Sequence, residues 1–429
     1  MPRTFIIGSR ASKLAQVQTY SIKDALESAH PDESFDVAFM LTGGDKNKVD
    51  PLYLFGAAGK ALWTEELETA LLKDRTIDFI VHSLKDVPTT LPPGAELGAI
   101  FERHDPLDSL VVKKGLEYKT LEDLPDGSVV GTSSIRRVAQ LRRSFPKLIF
   151  SDMVRWLYTP LSSCIFFYFA HFSEGTCRFP FSSYSYETNS LTCPSPIYSD
   201  TRLAKLDAPD GIYTAIILAH AGLARMNMDH RITSDIVPPH LYHAVGQGAL
   251  GIEIRSDDKE AERLLNTLSH APTEMRCRAE RSCLRVLEGG CSVPVGVETI
   301  FAAAATSSTP YASPEAELDS TSPGLSPVTS SEPSTRMDNE SYPTLTLTGC
   351  VTSLTGDTQV LYTSTTPMTC LADADALGET VAKRLIESGA RAILDEVNKE
   401  RAVRDAALKK SKADKGLSLP ASVSQNIQG

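Results

Sequence analysis

The sequence predicts an α/β protein of several domains, and three observations carry that prediction. The chain has 429 residues, enough for two to four domains each with its own core. Apolar strand-like runs alternate with segments of helical period over the first two-thirds, and the pattern changes after Cys291. Residues 5–8 read as a strand, 12–28 as an amphipathic helix, 35–41 as a strand, 64–72 as a helix and 79–82 as a strand. Further on, a strand over 129–131 leads into a helix over 133–144, and one over 215–218 leads into a turn over 219–226. A parallel crossover needs a helix between its strands, so the alternation argues for largely parallel sheets. In such sheets ligands gather at the carboxyl ends of the strands.

Past Cys291, residues from about 302 to 342 are rich in Ser, Thr, Pro and Ala. They hold too little large apolar surface to offset the entropy of ordering and read as a disordered loop. Segments 345–350 and 359–363 flank Thr355-Gly-Asp, a hairpin signal, and a helical pattern then runs from Ala372 to about Lys409 before a polar tail.

A net charge of −11 and a pI near 5.4 argue against a nucleic-acid protein while leaving room for a local basic pocket. The strand that begins at once shows neither a signal peptide nor a transit segment, so a cytoplasmic protein is expected. The most apolar stretch, 157–172, is interrupted by Pro160, Ser162, Ser163 and His171 and falls short of the roughly 20 residues a spanning helix needs, so no membrane is expected. Eight cysteines without a CxxC pair speak against zinc or a disulfide framework, and no other metal signature is present.

Five clusters carry chemistry. Gly8-Ser-Arg10-Ala-Ser12 ends a strand and starts a helix; Ser12 can cap it, and the free N–H groups with Arg10 suit a carboxylate or phosphate, although a capped helix with a surface Arg fits equally. Gly131-Thr132-Ser133-Ser134-Ile-Arg136-Arg137 repeats the design. Two cations in a first turn oppose the helix dipole, and an anion there would offset them. His82-Ser83-Leu-Lys85-Asp86-Val-Pro88 places a Lys–Asp pair at a strand end, where the lysine can keep the carboxylate ionised; a plain turn is the alternative. Ala244-Val-Gly-Gln247-Gly enters an apolar strand through closely spaced glycines, as a close approach, an interdomain crossover or a simple junction. Glu288-Gly-Gly-Cys291-Ser-Val-Pro294 sets a thiol on a Gly-Gly loop, which favours accessibility and a reactive thiolate, although a lone cysteine is more often an inert buried thiol.

In order and wording these clusters, with Thr201-Arg202-Leu-Ala-Lys-Leu-Asp207, resemble the porphobilinogen deaminase (hydroxymethylbilane synthase) family over about residues 3–153, 200–300 and, more loosely, 343–400. The resemblance implies a monomeric cytoplasmic transferase that condenses four molecules of the small substrate porphobilinogen into hydroxymethylbilane. It implies two periplasmic-binding-protein-like α/β domains around a cleft plus a small α+β C-terminal domain. The divisions expected are 1–103 with 245–267, then 104–244, then 268–410, with a tail over 411–429. It further implies that Cys291 carries a dipyrromethane cofactor through a thioether and that Asp86, beside Lys85, stabilises the cationic intermediate. Ser83, Lys85, Thr132, Ser133, Ser134, Arg136, Arg137, Arg202 and Gln247 would hold the cofactor, and Arg10, Ser12, Lys60 and Arg225 the substrate. Each substrate brings two carboxylates, so many guanidiniums fit the chemistry. A solute-binding or sensing module of the same cleft architecture is the alternative; it needs neither the Lys–Asp pair nor the cysteine.

One segment departs from the family. Of the 30 aromatic residues, 12 fall within 154–199, where only Arg155, Glu174, Arg178 and Glu187 are charged. The family's Arg-Gly-Asn-x-x-Thr-Arg-Leu is interrupted there: Ser151-Asp-Met153 precedes the segment and Asp200-Thr-Arg202-Leu follows it, and Arg155 lacks the Gly-Asn. A retained intron accounts for this, because Phe172-Ser-Glu-Gly-Thr-Cys177 can be written in codons that read Arg-Gly-Asn-Leu in another frame between plausible splice sites. If translated, so aromatic an insert is expected to impair folding and activity. The loop before Lys60 is also longer than the family's.

Overall fold

The computed structural model describes residues 3–42, 64–153, 198–287, 293–302 and 342–414, without the side chains of 198–200, 401, 404, 405 and 407–414. Lys60, Arg155, Cys291, the segment 154–197, most of the Ser/Thr/Pro-rich stretch (303–341) and the end of the tail (415–429) lie outside the described residues.

The first sheet contains β1 (Thr4–Arg10), β2 (Ser34–Met40), β3 (Phe79–Ser83), β4 (Ala95–Ile100) and β10 (Leu250–Arg255), in the order β2-β1-β3-β10-β4. β1 runs parallel to β2 and β3, whereas β10 is antiparallel to both its neighbours, with Leu250 opposite Ser83 and Gly251 opposite His82. Phe5, Phe35 and Phe79 meet in its core with ring centroids 5.7–6.4 Å apart. Helix α1 (Lys13–Ala29) starts where the Ser12 hydroxyl accepts from the Ala15 N–H, and it lays Ile22 and Leu26 on that core. Helix α2 (Glu65–Leu72) covers the other face through Leu67 and Leu71.

The second sheet repeats the design with β5 (Asp108–Val112), β6 (Val129–Gly131), β7 (Ile149–Ser151), β8 (Ala215–Ala219) and β9 (Ser234–Ile236), ordered β7-β6-β8-β5-β9. Here β6 is parallel to β7 and β8, and β5 is antiparallel to β8 and β9. Helices α3 (Ile135–Ser144) and α4 (Tyr198–Asp207) bury Leu141 and Leu206 against it. The turn expected over 219–226 is a short helix, α5 (His220–Arg225), because one turn of apolar spacing reads alike in either form. In each sheet the strand antiparallel to its neighbours follows a crossover between the sheets: β5 after residues 101–107, β10 after 237–249.

After α6 (Lys259–Asn266), which packs on the first core, the third unit comprises α7 (Ala271–Val286), β11 (Val295–Ala302), β12 (Thr344–Thr352), β13 (Gln359–Pro367), α8 (Leu371–Leu385) and α9 (Arg391–Asp414). Its antiparallel sheet, β11-β12-β13, buries Leu345, Leu347 and Val351 against Cys283, Val381 and Leu385. The helix read as continuous over 372–409 is broken at Gly389, whose φ of 106° lies in the left-handed region, and it continues to Asp414. Apolar spacing hides the break because Leu385, Ala390, Ile393 and Leu394 are buried on both sides of it. The architecture is mixed α/β: two five-stranded sheets with helices packed on them, and a smaller unit of one three-stranded antiparallel sheet with its helices. Among the described residues no helix is long and apolar enough to cross a membrane.

Candidate active site

The carboxyl end of β3 runs into a single 3₁₀ turn, Leu84–Asp86, that anchors Leu84 in the core and leaves Lys85 and Asp86 half-buried. With Arg10, Ser12, Gln18, His82 and Ser83, Asp86 lines one cleft at the start of α1. Gln18, buried on α1, fixes Ser83 through a reciprocal bond: its Nε2 donates to Ser83 Oγ at 2.9 Å, and that hydroxyl can return a bond to Gln18 Oε1 at 3.1 Å. Burial pulls the Lys85 pKa below the ordinary lysine range, opposed by Asp86 and Asp108 and reinforced by Arg137 and Arg136.

Across the cleft, Ser134 caps α3 by accepting from the Arg137 N–H, and Ser133 Oγ donates to Asp152 at 2.5 Å. Thr132, buried, precedes them at the end of β6. Arg136 and Arg137, expected to await an anion, already share one. Asp108, on β5 and 1% exposed, accepts from Arg136 Nη2 at 2.8 Å and from Arg137 Nε and Nη2 at 3.1 and 2.7 Å. Each also donates to backbone, Arg136 to Tyr242 O and Arg137 to Ile217 O. Burial alone would raise the Asp108 pKa, yet the two guanidiniums hold it well below the usual carboxylate range.

Gln247 joins the two walls. Lys85 Nζ donates to its Oε1 at 3.3 Å, while its Nε2 donates to Asp108 Oδ1 at 2.9 Å and to Pro106 O at 2.7 Å. The flanking Gly248 has a φ of 87°, and a Cβ there would stand 2.4 Å from His104 O, so the two crossovers touch only because this residue has no side chain. Arg225, at the end of α5, donates to Gly248 O at 2.6 Å, and burial lowers its pKa to about 10. Arg202 lies in α4, partly buried.

The structure thus brings Arg10, Ser12, Ser83 and Asp86 into one cleft, and Lys85, Gln247, Arg136 and Arg137 into one charge cluster. Lys60 and Cys291 fall outside the description. Sequence reading overlooked Asp108 and Gln18. Asp108 opens an apolar strand and reads as its polar end, whereas Gln18 reads as one polar position of an amphipathic helix. Three described cysteines, Cys277, Cys283 and Cys350, are buried thiols with pKa values pushed up by burial to about 12, 12 and 11.

Residues 5–163 and 198–263 match the family described as porphobilinogen deaminase, dipyromethane cofactor binding domain, and residues 274–306 match porphobilinogen deaminase, C-terminal domain. Fold, site and match together define a cofactor-bearing transferase. The porphobilinogen deaminase of Yarrowia lipolytica is 39% identical, over 93% of this chain and 95% of its own length. That of Gloeobacter violaceus is 42% identical over 92% and 94%, and that of Saccharomyces cerevisiae 37% identical over 93% and 99%. The chain belongs to the porphobilinogen deaminase family, and the solute-binding alternative is not favoured.

Proposed function

We propose that the chain acts as hydroxymethylbilane synthase, condensing four porphobilinogen molecules head to tail and releasing ammonia at each step. The observation that carries this reading is the meeting of Lys85 and Asp86, on the turn after β3, with the Arg136–Asp108–Arg137 cluster of the second sheet. Within that cluster Lys85, Arg136 and Arg137 outnumber Asp86 and Asp108, so it keeps a positive balance, and the hydroxyls of Thr132, Ser133 and Ser134 stand at a helix start. That donor set fits a polycarboxylate such as dipyrromethane.

Cys291 would hold the cofactor through a thioether, with Ser83, Lys85, Thr132, Ser133, Ser134, Arg136, Arg137, Arg202 and Gln247 around its rings and carboxylates. When bound, the dipyrromethane supplies the pyrrole carbon from which the product grows. Arg10, Ser12, Lys60 and Arg225 hold the substrate's acetate and propionate groups. Asp86 accepts the substrate's pyrrole N–H and offsets the positive charge left as the amine departs, with Lys85 beside it. The measurement is a mass spectrum paired with turnover. We expect a chain heavier than its sequence by one dipyrromethane, an increment lost in Cys291→Ser together with activity. An unmodified yet active chain overturns the cofactor assignment, and a modified chain that forms no hydroxymethylbilane even with residues 154–199 replaced by Arg-Gly-Asn-Leu overturns the reaction.

The reading includes a cytoplasmic monomer with no nucleic-acid or membrane partner and with domains 1–103 plus 245–267, 104–244 and 268–410. It also holds residues 154–199 to be retained intron sequence; the family match breaks off within that segment, between residues 163 and 198, although it runs through 154–163.

A further inference from the structure

Glu253 sits in β10, a strand all of whose residues are buried, and is itself 0% exposed. A carboxylate there has lost its hydration and must be paired or neutralised. Its Oε2 lies 3.1 Å from Nε2 of His82, itself 5% exposed, and its Oε1 has no partner among the described residues. Glu68 approaches the same group from α2: burial pushes its carboxyl up, Glu253 pushes it further, and His82 opposes. The Glu253 carboxyl thus faces the imidazole through Oε2 alone, with Glu68 behind it on α2.

A carboxylate oxygen accepts, so the 3.1 Å contact with Glu253 Oε2 assigns the proton of His82 to Nε2. The other nitrogen, Nδ1, then carries the lone pair. It makes no bond to the described residues, and His82 is one of the residues that line the cleft with Arg10, Ser12, Ser83 and Asp86. A base within a substrate cleft, oriented from behind by a buried carboxylate, is an arrangement suited to proton transfer.

Resting on the transferase reading above, we propose that His82, oriented by Glu253, is the base that removes the proton displaced in each condensation. The substrate's C–N bond breaks and its ammonium group leaves as ammonia with the bonding pair, so the methylene carbon becomes cationic. The free α-carbon of the acceptor pyrrole forms a C–C bond to that methylene. The acceptor ring then loses its α C–H proton to His82 Nδ1, and the C–H pair restores the aromatic ring. The imidazolium passes the proton to ammonia, which departs as ammonium. The charged and titratable groups around this step are Glu253 from β10, Glu68 from α2, Lys85 and Asp86 from the turn, and Arg10 from β1.

The full chain, labelled with ¹⁵N-histidine, tests the orientation without recourse to activity. The His82 signal, assigned by its loss in His82→Gln, should show a protonated Nε2 and an unprotonated Nδ1 at neutral pH; the opposite tautomer overturns the proposal. Turnover of porphobilinogen deuterated at its free α-carbon tests the chemistry. The glutamine amide can still reach Glu253, so His82→Gln should keep its melting temperature, lose roughly a hundredfold or more in kcat, lose the acid limb of kcat, and show a larger deuterium isotope effect than the parent. Wild-type values for all three kinetic readouts overturn the assignment. Should that variant fail to fold, Glu253→Gln decides: removing the anion should move the acid limb to lower pH, and an unmoved limb overturns the role. A chain with the expected tautomer that makes no hydroxymethylbilane even with residues 154–199 replaced by Arg-Gly-Asn-Leu overturns the reaction reading itself, and the base with it.

Discussion

Arg103 and Glu280 form a two-point ion pair, at 2.6 and 3.0 Å, with side chains 3% and 0% exposed. Arg103 follows β4 on the first crossover, whereas Glu280 lies on α7 of the third unit. Each also secures the second crossover: Arg103 Nε donates to Gln247 O at 2.7 Å, and the Gly246 N–H donates to Glu280 at 2.8 Å. Removing one partner leaves a buried charge, so Arg103→Met or Glu280→Gln should each lower unfolding free energy by about 3–5 kcal/mol. Denaturant titration measures it, and the double apolar replacement should cost less than either single change. Losses below 1 kcal/mol would mean that the crossovers hold without the pair.

Asp108 should govern part of the acid sensitivity. Its pKa is depressed from an ordinary 3.8, so its stabilising contribution is fully present above that value and is lost as pH falls below it toward the folded pKa. In Asp108→Asn the acid limb of stability below about pH 4 should flatten, and stability near neutrality should fall because two buried guanidiniums lose their shared anion. An unchanged acid limb measured by thermal melts would contradict this.

His243 acts in a higher window. Burial first, and Arg103 next, lower its pKa from 6.5 to about 4, so the folded chain keeps it neutral while an unfolded chain protonates it. Its contribution is present above pH 6.5 and is lost as pH falls toward 4, on the order of 3 kcal/mol at full effect. A neutral isostere, His243→Gln, should remove that slope between pH 6.5 and 4; persistence of the slope assigns it to other groups.

Asp86→Asn keeps the shape of the turn and removes the charge. We expect kcat to fall by roughly 10²–10³, the scale on which one stabilising group acts, with KM changing little and the melting temperature unmoved. Equal losses in KM and stability would instead identify Asp86 as a structural residue.

Deleting residues 154–199 and restoring Arg-Gly-Asn-Leu should raise soluble yield and specific activity relative to the full chain. Sequencing cDNA beside genomic DNA checks the origin of the segment: a spliced transcript joining Met153 to Arg-Gly-Asn supports the intron, and an uninterrupted coding exon in all transcripts removes it. Full family-like turnover by the longer chain would show that the segment is tolerated.

Strand and helix alternation was legible in the sequence because apolar period and junction residues are local properties. The 129–131 strand, the Ser134 cap and the 355–357 hairpin are each written within a few residues. What escaped depends on partners distant along the chain. Asp108 acquires its meaning from Arg136 and Arg137, and the charge of Glu253 in an apolar strand from His82. The break at Gly389 escaped for a different reason, since a lone glycine inside a helical pattern is tolerated as often as it ends one.

The placement of β10 between β3 and β4 sets a timetable for the chain as it leaves the ribosome. Residues 3–100 supply four strands of the first sheet, but β3 and β4 cannot close on each other until 250–255 arrive, after all of 101–249 has been made. The nascent N-terminal half therefore waits with two open strand edges, the condition under which chains pair wrongly or engage chaperones. Residues 154–199 fall inside that wait and lengthen it by roughly 2–9 s at ordinary translation speeds. The first domain, though distant in sequence from the segment, is thus the part whose folding the segment delays most directly.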